Sequence, residues 1–347
     1  MDFYQEKQKK GIKKLNALVK DLPPFCSEFF IGIAERTSIL TRLNYAYDLR
    51  IFFDFLQKEV FGKDALTISL PDLNELTVTD IEKYIHYIND YEFRDNENFN
   101  RERGKARKLS SVRSLFKYFF NKDKLTANVA SKVTMPKLHD KEIIRLDVDE
   151  IARLLDGVES GSGLTRKQKD FHNKYRKRDL AMLTLFLGTG IRISECVGID
   201  IDDVDFRNNA FKVTRKGGNR AVLYFSEEVA DALREYLDER TDAEPVEGSE
   251  NALFLSAQNK RISVRAVENL VKKYSKIITP LKKITPHKLR STYGTALYRE
   301  TNDIYVVAEV LGHRDINTTK KHYAAMSEEV RRGAANKVKL RDKKDDD

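Results

Sequence analysis

The hydrophobic residues of the first 120 positions recur every three or four residues, the spacing that gathers them on one face of a helix. A short helix ending at Pro23-Pro24 is predicted first, and we expect residues 1–24 to form an N-terminal extension. Further helices are predicted at 25–34, from Thr37 or Ser38 to Gly62, from Thr79 or Asp80 to 88, and from Ser110 to 120. Their aromatic stripes are typical of a core, so residues 25–135 predict an all-α bundle.

The pattern changes after residue 135. Residues 136–146 show few core-like spacings and predict a linker. Residues 147–347 then mix helices with two strands, which a Gly217-Gly218 turn of hairpin type separates. The helices are predicted from Asp147 or Asp149 to Leu155 and at 179–187, 226–240 and 263–278, and the strands at 210–215 and 220–225. The predicted fold class is mainly α with a small β-hairpin or sheet, in two domains.

Residues 157–178 interrupt this second domain. They are rich in glycine and serine and then strongly basic, ending in TRKQKDFHNKYRKR. The segment predicts an extended surface loop, longer than such a connection needs. Contact with a nucleic acid and simple solvation are both open for it.

Charge and cysteine content narrow the classes of partner. The 347 residues hold 63 Lys and Arg against 54 Asp and Glu, a formal charge of +9, which favours a polyanionic partner. Cys26 and Cys196 are the only cysteines, so neither a disulfide framework nor a cysteine zinc site is indicated. The sequence lacks an apolar run of membrane-spanning length and a signal-peptide core. We therefore expect a cytoplasmic protein without membrane contact.

A second basic segment lies between the last two helices of the predicted bundle. Residues 93–108 are expected to form a loop, for which solvation is the simplest interpretation. If the protein binds DNA, the same loop and the start of the following helix would contact phosphates. The candidate DNA-binding residues are Arg94, Arg101, Arg103, Lys105, Arg107 and Lys108.

The richest chemistry lies in residues 284–323. His287 and Arg290 are three residues apart, His313 follows a Leu-Gly pair, and nine residues separate His313 from Tyr323. Helical spacing of the intervening apolar residues brings these side chains towards one pocket. Cationic and hydrogen-bonding groups beside a phenol suit an oxygen-rich anion, above all a phosphate.

These residues resemble the catalytic box of the tyrosine recombinase/integrase family, which reads H-x-x-R, then L-G-H, then Y. GTGIRISE at 188–195 resembles the first arginine box of the family, and Lys216 in RKGGN stands where the family has its hairpin lysine. The resemblance spans roughly the last two thirds of the chain and keeps the family order. It implies a catalytic set of Arg192, Lys216, His287, Arg290, His313 and Tyr323.

The resemblance also implies a role for each residue. Tyr323 is the expected nucleophile, and Arg192 and Arg290 clamp the phosphate. A phenol is almost entirely protonated at neutral pH, so Tyr323 needs a base or neighbouring cations. Lys216 would protonate the leaving alkoxide. His287 would take the phenol proton or bind the phosphate, and His313 would donate to a non-bridging oxygen.

Glu195 lies one helical turn after Arg192 and is expected to orient it, although a solvated acid fits the sequence equally. A metal site is not indicated. His287, His313 and His322 lack the short paired spacings of zinc ligands, and DIDDVD at 200–205 lacks the order of a calcium loop. We expect catalysis without a metal or other cofactor.

Family members of this kind pair a helical core-binding domain with a catalytic domain and close as a C-shaped clamp on DNA. The resemblance implies recombination of double-stranded DNA sites through a 3′-phosphotyrosine and a Holliday junction. It also implies a homotetramer, with accessory proteins as further partners. The expected biological role is integration or excision of a mobile element, or Xer-like resolution. The tail at 327–340 would dock on a neighbouring protomer or fold back.

Two other classes share part of this pattern. A type IB topoisomerase uses similar chemistry, and a DNA-binding protein without strand exchange would need only the basic surfaces. The L-G-H box, the two-domain size and the complete catalytic set favour a recombinase. The sequence departs from a compact Xer pattern in the nine-residue gap before Tyr323 and in the 157–178 insertion.

Overall fold

The computed structural model describes residues 3–139, 144–215, 218–313, 315–317 and 319. The chain divides into two compact units, Met1–Lys141 and Glu142–Asp347. The division falls inside the segment predicted as a linker. The described residues form helices and two small sheets, which confirms the predicted fold class. No described helix is long and apolar enough to cross a membrane.

The first unit is a helical bundle with one added hairpin. Its helices are α1 (Phe3–Val19), α2 (Cys26–Gly32), α3 (Ile39–Phe55), α4 (Leu70–Glu75), α5 (Val78–Tyr87), α6 (Glu102–Phe120) and α7 (Val129–Lys132). The strands β1 (Asp90–Phe93) and β2 (Asn96–Phe99) pair antiparallel. Ser38 caps α3 by accepting from the Thr41 amide, and a π-helical turn, Leu56–Phe61, extends α3 to Gly62. The predicted boundaries of this helix are therefore close to those observed.

The core of the first unit is aromatic, as the stripes predict. Phe52 and Tyr84 are fully buried and meet edge to face at a centroid distance of 5.1 Å. Leu15 and Leu18 of α1 belong to the same cluster. The segment predicted to be an N-terminal extension is thus part of the bundle, because its apolar face packs against α3.

Two boundaries in the first unit differ from the prediction. Thr77 caps α5, and Asp80 occupies the third helical position, where its carboxylate accepts from the Thr77 amide in a capping box. α6 begins at Glu102 instead of Ser110, so much of the predicted basic loop is helical. The rest of that loop is the β1–β2 hairpin.

The second unit contains a three-stranded sheet and seven described helices. Its helices are α8 (Val148–Ser160), α9 (Arg166–Thr189), α10 (Ile193–Cys196), α11 (Glu227–Arg240), α12 (Val264–Ile278), α13 (Pro286–Thr301) and α14 (Ile304–Leu311). The strands β3 (Val204–Asp205), β4 (Ala210–Thr214) and β5 (Arg220–Tyr224) pair antiparallel in that order. Ala210 pairs with Tyr224 and Thr214 with Arg220, as in the predicted hairpin.

The predicted surface loop at 157–178 is wrong. α8 runs through Ser160, and α9 begins at Arg166 behind a Thr165–Gln168 capping box. Buried polar contacts hold this charged half of α9 against α12. Asp179 is 2% exposed and accepts from Tyr274 at 3.0 Å, and His172 Nδ1 lies 3.2 Å from the same hydroxyl. These long-range bonds stabilise a helix whose sequence lacks a continuous apolar face.

Candidate active site

Arg192 is held at the start of α10 by the carboxylate of Glu195. Its Nη1 donates to Glu195 Oε1 at 2.8 Å, and its backbone amide donates to Oε2 at 3.1 Å. The Glu195 side chain is 2% exposed and that of Arg192 31%. One carboxylate therefore fixes both the backbone and the guanidinium of Arg192, the geometry that an orienting role requires.

α13 carries His287 and Arg290 one turn apart. Thr285 caps the helix by accepting from the Lys288 amide, and Pro286 occupies its first position, where a missing N–H costs nothing. His287 is exposed near this N-terminus. Arg290 is 5% exposed. The helix start therefore places the histidine at the surface and the arginine in the interior.

Arg290 joins two turns that lie far apart in the sequence. Its Nη1 donates to the Gly190 carbonyl at 2.5 Å, and its Nη2 donates to the Leu311 carbonyl. Gly190 ends α9 with a left-handed φ of +61°, and a Cβ there would lie 2.5 Å from Tyr293 Cδ1. The turn between α9 and α10 therefore packs directly on α13.

The C-terminal end of α14 is the meeting point of the site. The last carbonyls of a helix lack intrahelical partners and carry partial negative charge. Here three consecutive carbonyls accept from three different arginines. Arg215 Nη2 donates to Val310 at 3.2 Å, Arg290 Nη2 donates to Leu311, and Arg192 Nη2 donates to Gly312 at 2.9 Å. This helix end thereby brings two sequence-predicted arginines together.

His313 follows directly after this turn. Its amide donates to the Ala308 carbonyl at 2.9 Å, and its Nδ1 lies 2.8 Å from the hydroxyl of Thr319, which is fully buried. A hydrogen bond at Nδ1 sets the ring orientation and the tautomer. If Thr319 donates, Nε2 carries the ring proton and is the donor that a phosphate oxygen requires.

The described residues thus bring together Arg192, Glu195, Arg290 and His313, with His287 one turn from Arg290. Lys216 and Tyr323 lie outside the described residues, as does the 327–340 tail. Sequence reasoning missed Arg215 and Thr319. Arg215 had one signal, its place directly before the hairpin lysine, whereas Thr319 had no recognisable spacing.

Burial changes the pKa of two side chains near the site. Burial raises the pKa of the Cys196 thiol, and the neighbouring Glu195 acts in the same direction. Burial also raises the pKa of Tyr293, which packs against Gly190. The raised pKa favours the protonated form of both groups at neutral pH. Among the described residues, no group of three or more His, Cys, Asp and Glu is arranged to hold a metal ion.

The candidate DNA-binding residues of the first unit divide by their surroundings. Arg101 and Arg103 are exposed at the N-terminus of α6. Arg94, in the β1–β2 turn, is also exposed and donates to Asp21 at 2.9 Å. These three side chains lie on the surface and are accessible to a polyanion.

The other three candidates are held by neighbours within the bundle. Lys105 donates to Asn89 at 2.8 Å, and Arg107 donates at 2.6 Å to Asp48, which is fully buried. Lys108 is 4% exposed and donates to Asn100 at 2.8 Å. Burial lowers the pKa of Lys108. Lys108 therefore belongs to the packing of α6, whereas the Arg107 side chain is 48% exposed despite its bond to Asp48.

The profile of the phage integrase family matches residues 145–329, the part of the chain that holds all of these catalytic candidates. Tyrosine recombinase XerC of Caldanaerobacter subterraneus subsp. tengcongensis is 34% identical over 332 residues, covering 92% of this chain and 87% of the relative. The chain belongs to the tyrosine recombinase family. It is accordingly a site-specific DNA-cleaving and rejoining enzyme, and the topoisomerase alternative is not favoured.

Other tyrosine recombinases match over both units. XerS of Lactococcus lactis subsp. cremoris (strain MG1363) is 30% identical over 352 residues, covering 93% of this chain and 98% of the relative. The fold is similar to that of XerH site-specific recombinase bound to its difH substrate, with a TM-score of 0.66, 17% identity and coverage of 87% and 81%. The fold is also similar to that of the Tn1549 transposon integrase in complex with circular intermediate DNA. The TM-score is 0.62 and the identity 19%, and the match covers 88% of this chain and 99% of the integrase chain.

Proposed function

We propose that this recombinase cuts DNA with Tyr323 and holds the scissile phosphate with Arg192 and Arg290. The observation that carries the proposal is the pair of neighbouring carbonyls, Leu311 and Gly312, to which the two guanidinium groups donate. A guanidinium has five N–H donors, and Arg192 uses one of them for Glu195 and one for the Gly312 carbonyl. Two oriented forks side by side suit the added charge of a five-coordinate phosphorus.

The first step makes the covalent intermediate. The Tyr323 oxygen attacks phosphorus, and the bond between phosphorus and the 5′-oxygen breaks. His287 takes the phenol proton or binds the phosphate, and Lys216 supplies a proton to the leaving 5′-oxygen. The products are a 3′-phosphotyrosyl strand and a free 5′-hydroxyl. His313 donates to a non-bridging oxygen throughout.

The second step reverses the first with a different strand. A 5′-hydroxyl from a partner duplex attacks the phosphotyrosine, and Tyr323 leaves and recovers its proton. The bond energy is kept in the ester, so ATP is not needed. Two rounds on paired sites pass through a Holliday junction. We extend the proposal to a homotetramer that clamps two DNA sites in the cytoplasm, with accessory proteins setting its direction.

We also propose that exposed basic residues of the first unit bind the DNA backbone. Arg101 and Arg103 fit this role best, because both are exposed at the start of α6. Arg94 can join them from the β1–β2 turn. Lys105 and Lys108 would act mainly by holding α6 in place, since neighbouring side chains accept their hydrogen bonds and neither is exposed. Arg107 bonds to Asp48 but stays exposed, as Arg94 does beside Asp21, so it can also contact DNA.

Covalent trapping on a randomised pool of nicked duplexes tests the proposal. A nick beside the cleavage point lets the 5′-hydroxyl fragment diffuse away, so the intermediate accumulates and its attached DNA can be sequenced. We expect adducts on one recurring sequence, their loss in Tyr323→Phe, and normal yield in the control Tyr305→Phe, whose tyrosine is exposed on α14. Adducts on all sequences would instead indicate a topoisomerase, and adducts with Tyr323→Phe would refute the nucleophile.

The recovered sequence also addresses the biological role. The relatives are Xer recombinases, whereas one structural neighbour is a transposon integrase. If the protein integrates or excises a mobile element, the recovered site should lie at the ends of that element. Xer-like resolution predicts one site in the replicon itself.

A further inference from the structure

Arg215 ties the β4–β5 hairpin to the turn that carries Leu311, Gly312 and His313. Its backbone closes the hairpin, because its amide donates to the Asn219 carbonyl at 2.8 Å and its carbonyl accepts from Gly218 at 3.0 Å. Its side chain leaves the hairpin and donates from Nη2 to the Val310 carbonyl at 3.2 Å. One residue therefore bonds to both elements.

The contact between Arg215 and the turn is close. A Cβ built on Gly312 would lie 2.0 Å from Arg215 Nη1 and 2.3 Å from Cζ, so the guanidinium rests directly on the glycine. Arg215 Nε is buried and has no hydrogen-bond partner among the residues that the structure describes. An arginine that only needed solvation would not bury an N–H in this way. A buried N–H without a partner is unusual in a folded protein and calls for an explanation.

The surrounding charges give the contact its significance. Arg192 and Arg290 donate to the two carbonyls that follow Val310, so Arg215 is the third guanidinium at one helix end. The partial negative charge of the helix C-terminus offsets part of their mutual repulsion. Lys216 follows Arg215 directly, and adjacent α-carbons are about 3.8 Å apart. The anchored Arg215 therefore fixes the point from which the chain continues to Lys216.

We propose that Arg215 is a positioning residue that fastens the hairpin to the Leu311-Gly312-His313 turn and so sets Lys216 against the phosphate held by Arg192 and Arg290. This inference rests on the proposed role of Lys216 as the general acid. Without the fastening, Lys216 would sample positions away from the leaving oxygen. Cleavage would slow at the protonation of that oxygen, while binding of the phosphate would persist.

A substrate with a 5′-bridging sulfur separates positioning of the acid from other roles. A thiolate leaves without protonation, so a defect confined to general-acid catalysis disappears on this substrate. Single-turnover cleavage would be measured on matched oxygen and sulfur suicide duplexes. The variants are Arg215→Ala, Lys216→Ala and Arg207→Ala. Arg207 is a matched control, because it is an exposed arginine in the turn at the opposite end of the same sheet.

We expect Arg215→Ala to cleave the oxygen substrate at least about 10-fold more slowly, a part of the 10²–10⁴-fold that a general acid supplies. On the sulfur substrate its rate should return to within about threefold of the unchanged protein, as should that of Lys216→Ala. Arg207→Ala should match the unchanged protein on both substrates. Arg215→Lys keeps one donor for the Val310 carbonyl. On the oxygen substrate its cleavage rate should lie between those of Arg215→Ala and the unchanged protein.

The outcomes separate the two proposals. If Lys216→Ala stays slow on the sulfur substrate, the general-acid role of Lys216 fails. If Lys216→Ala recovers but Arg215→Ala stays equally slow on both, Arg215 acts on the phosphate or on folding, and the positioning role is overturned. Normal cleavage by Arg215→Ala on the oxygen substrate overturns it as well. Should Arg215→Ala fail to fold, the same comparison of substrates is decisive with Arg215→Lys.

Discussion

The carboxylate of Glu195 lies 2.8 Å from Arg192 Nη1 and is almost completely buried, whereas the arginine is about one third exposed. Removing Arg192 alone leaves a buried charge without its partner, which typically costs about 3 kcal/mol of unfolding free energy. Arg192→Ala should therefore be more destabilised than the double variant Arg192→Ala/Glu195→Ala. Urea denaturation measures the difference. A double variant that is no more stable than Arg192→Ala would contradict this expectation.

Gly190 should tolerate no side chain, because it combines a left-handed backbone with a packed environment. A Cβ there would lie 2.5 Å from Tyr293 and 2.8 Å from Leu311. Gly248 has a φ of +80°, and a Cβ built there would meet no atom within 4 Å. Gly248→Ala therefore measures only the loss of unfolding free energy that a side chain causes in a left-handed backbone, about 1–2 kcal/mol. Gly190→Ala should exceed that value in thermal or urea unfolding and should lower cleavage. Equal losses in both variants would contradict the packing at Gly190.

Arg101 and Arg103 should control the salt dependence of DNA binding. Each phosphate contact contributes about 0.9 to the slope of log K against log salt, so replacing both arginines by alanine should reduce the slope by about 2. The control is Lys117→Ala/Lys122→Ala, which removes one exposed lysine from the last turn of α6 and another from the turn that follows the helix. Binding titrations at several salt concentrations measure both slopes. An unchanged slope for the arginine variant would remove the start of α6 from the interface.

His172 should make stability depend on pH. Burial lowers its pKa, the Lys273 charge acts in the same direction, and Asp179 opposes them. The unfolded chain, with a histidine pKa of about 6.5, then binds the proton more readily than the folded chain. Stability is therefore complete above about pH 6.5 and decreases as the pH falls towards the lower folded pKa, by at most about 1.4 kcal/mol per pH unit.

Replacing His172 by glutamine should remove that part of the pH dependence. Urea denaturation between pH 7 and 5 measures it, with His86→Gln as the control because His86 is exposed in the first unit. Equal pH dependence in His172→Gln and the unchanged protein would show that His172 does not contribute.

The parts of the fold set by local chemistry were predictable from the sequence. Ser38 and Asp147 precede helices that local capping rules predict, and the observed helices begin directly after them. The β4–β5 hairpin follows from its strand residues and glycine turn. Ser110 was predicted as a helix start, but α6 begins earlier because its charged first turns bond to Asn89, Asn100 and Asp48.

The first half of α9 shows why other parts were not predictable. Its sequence is polar and charged, so periodicity gives no helix. Its position depends on Asp179 and His172 meeting Tyr274, about 100 residues further along the chain. The same limit applies to the site. Motifs identify Arg192 and Arg290, but only the fold shows that both donate to the end of α14, beside Arg215.

Peptide mapping of the covalent adduct tests the central claim most directly. The protein would be trapped on a suicide duplex containing its recovered site, digested with nuclease and trypsin, and sequenced by mass spectrometry. The account predicts a nucleotide linked to the Tyr323 oxygen through its 3′-phosphate, and no such peptide from Tyr323→Phe. A nucleotide on any other residue, or a linkage through a 5′-phosphate, would contradict the account.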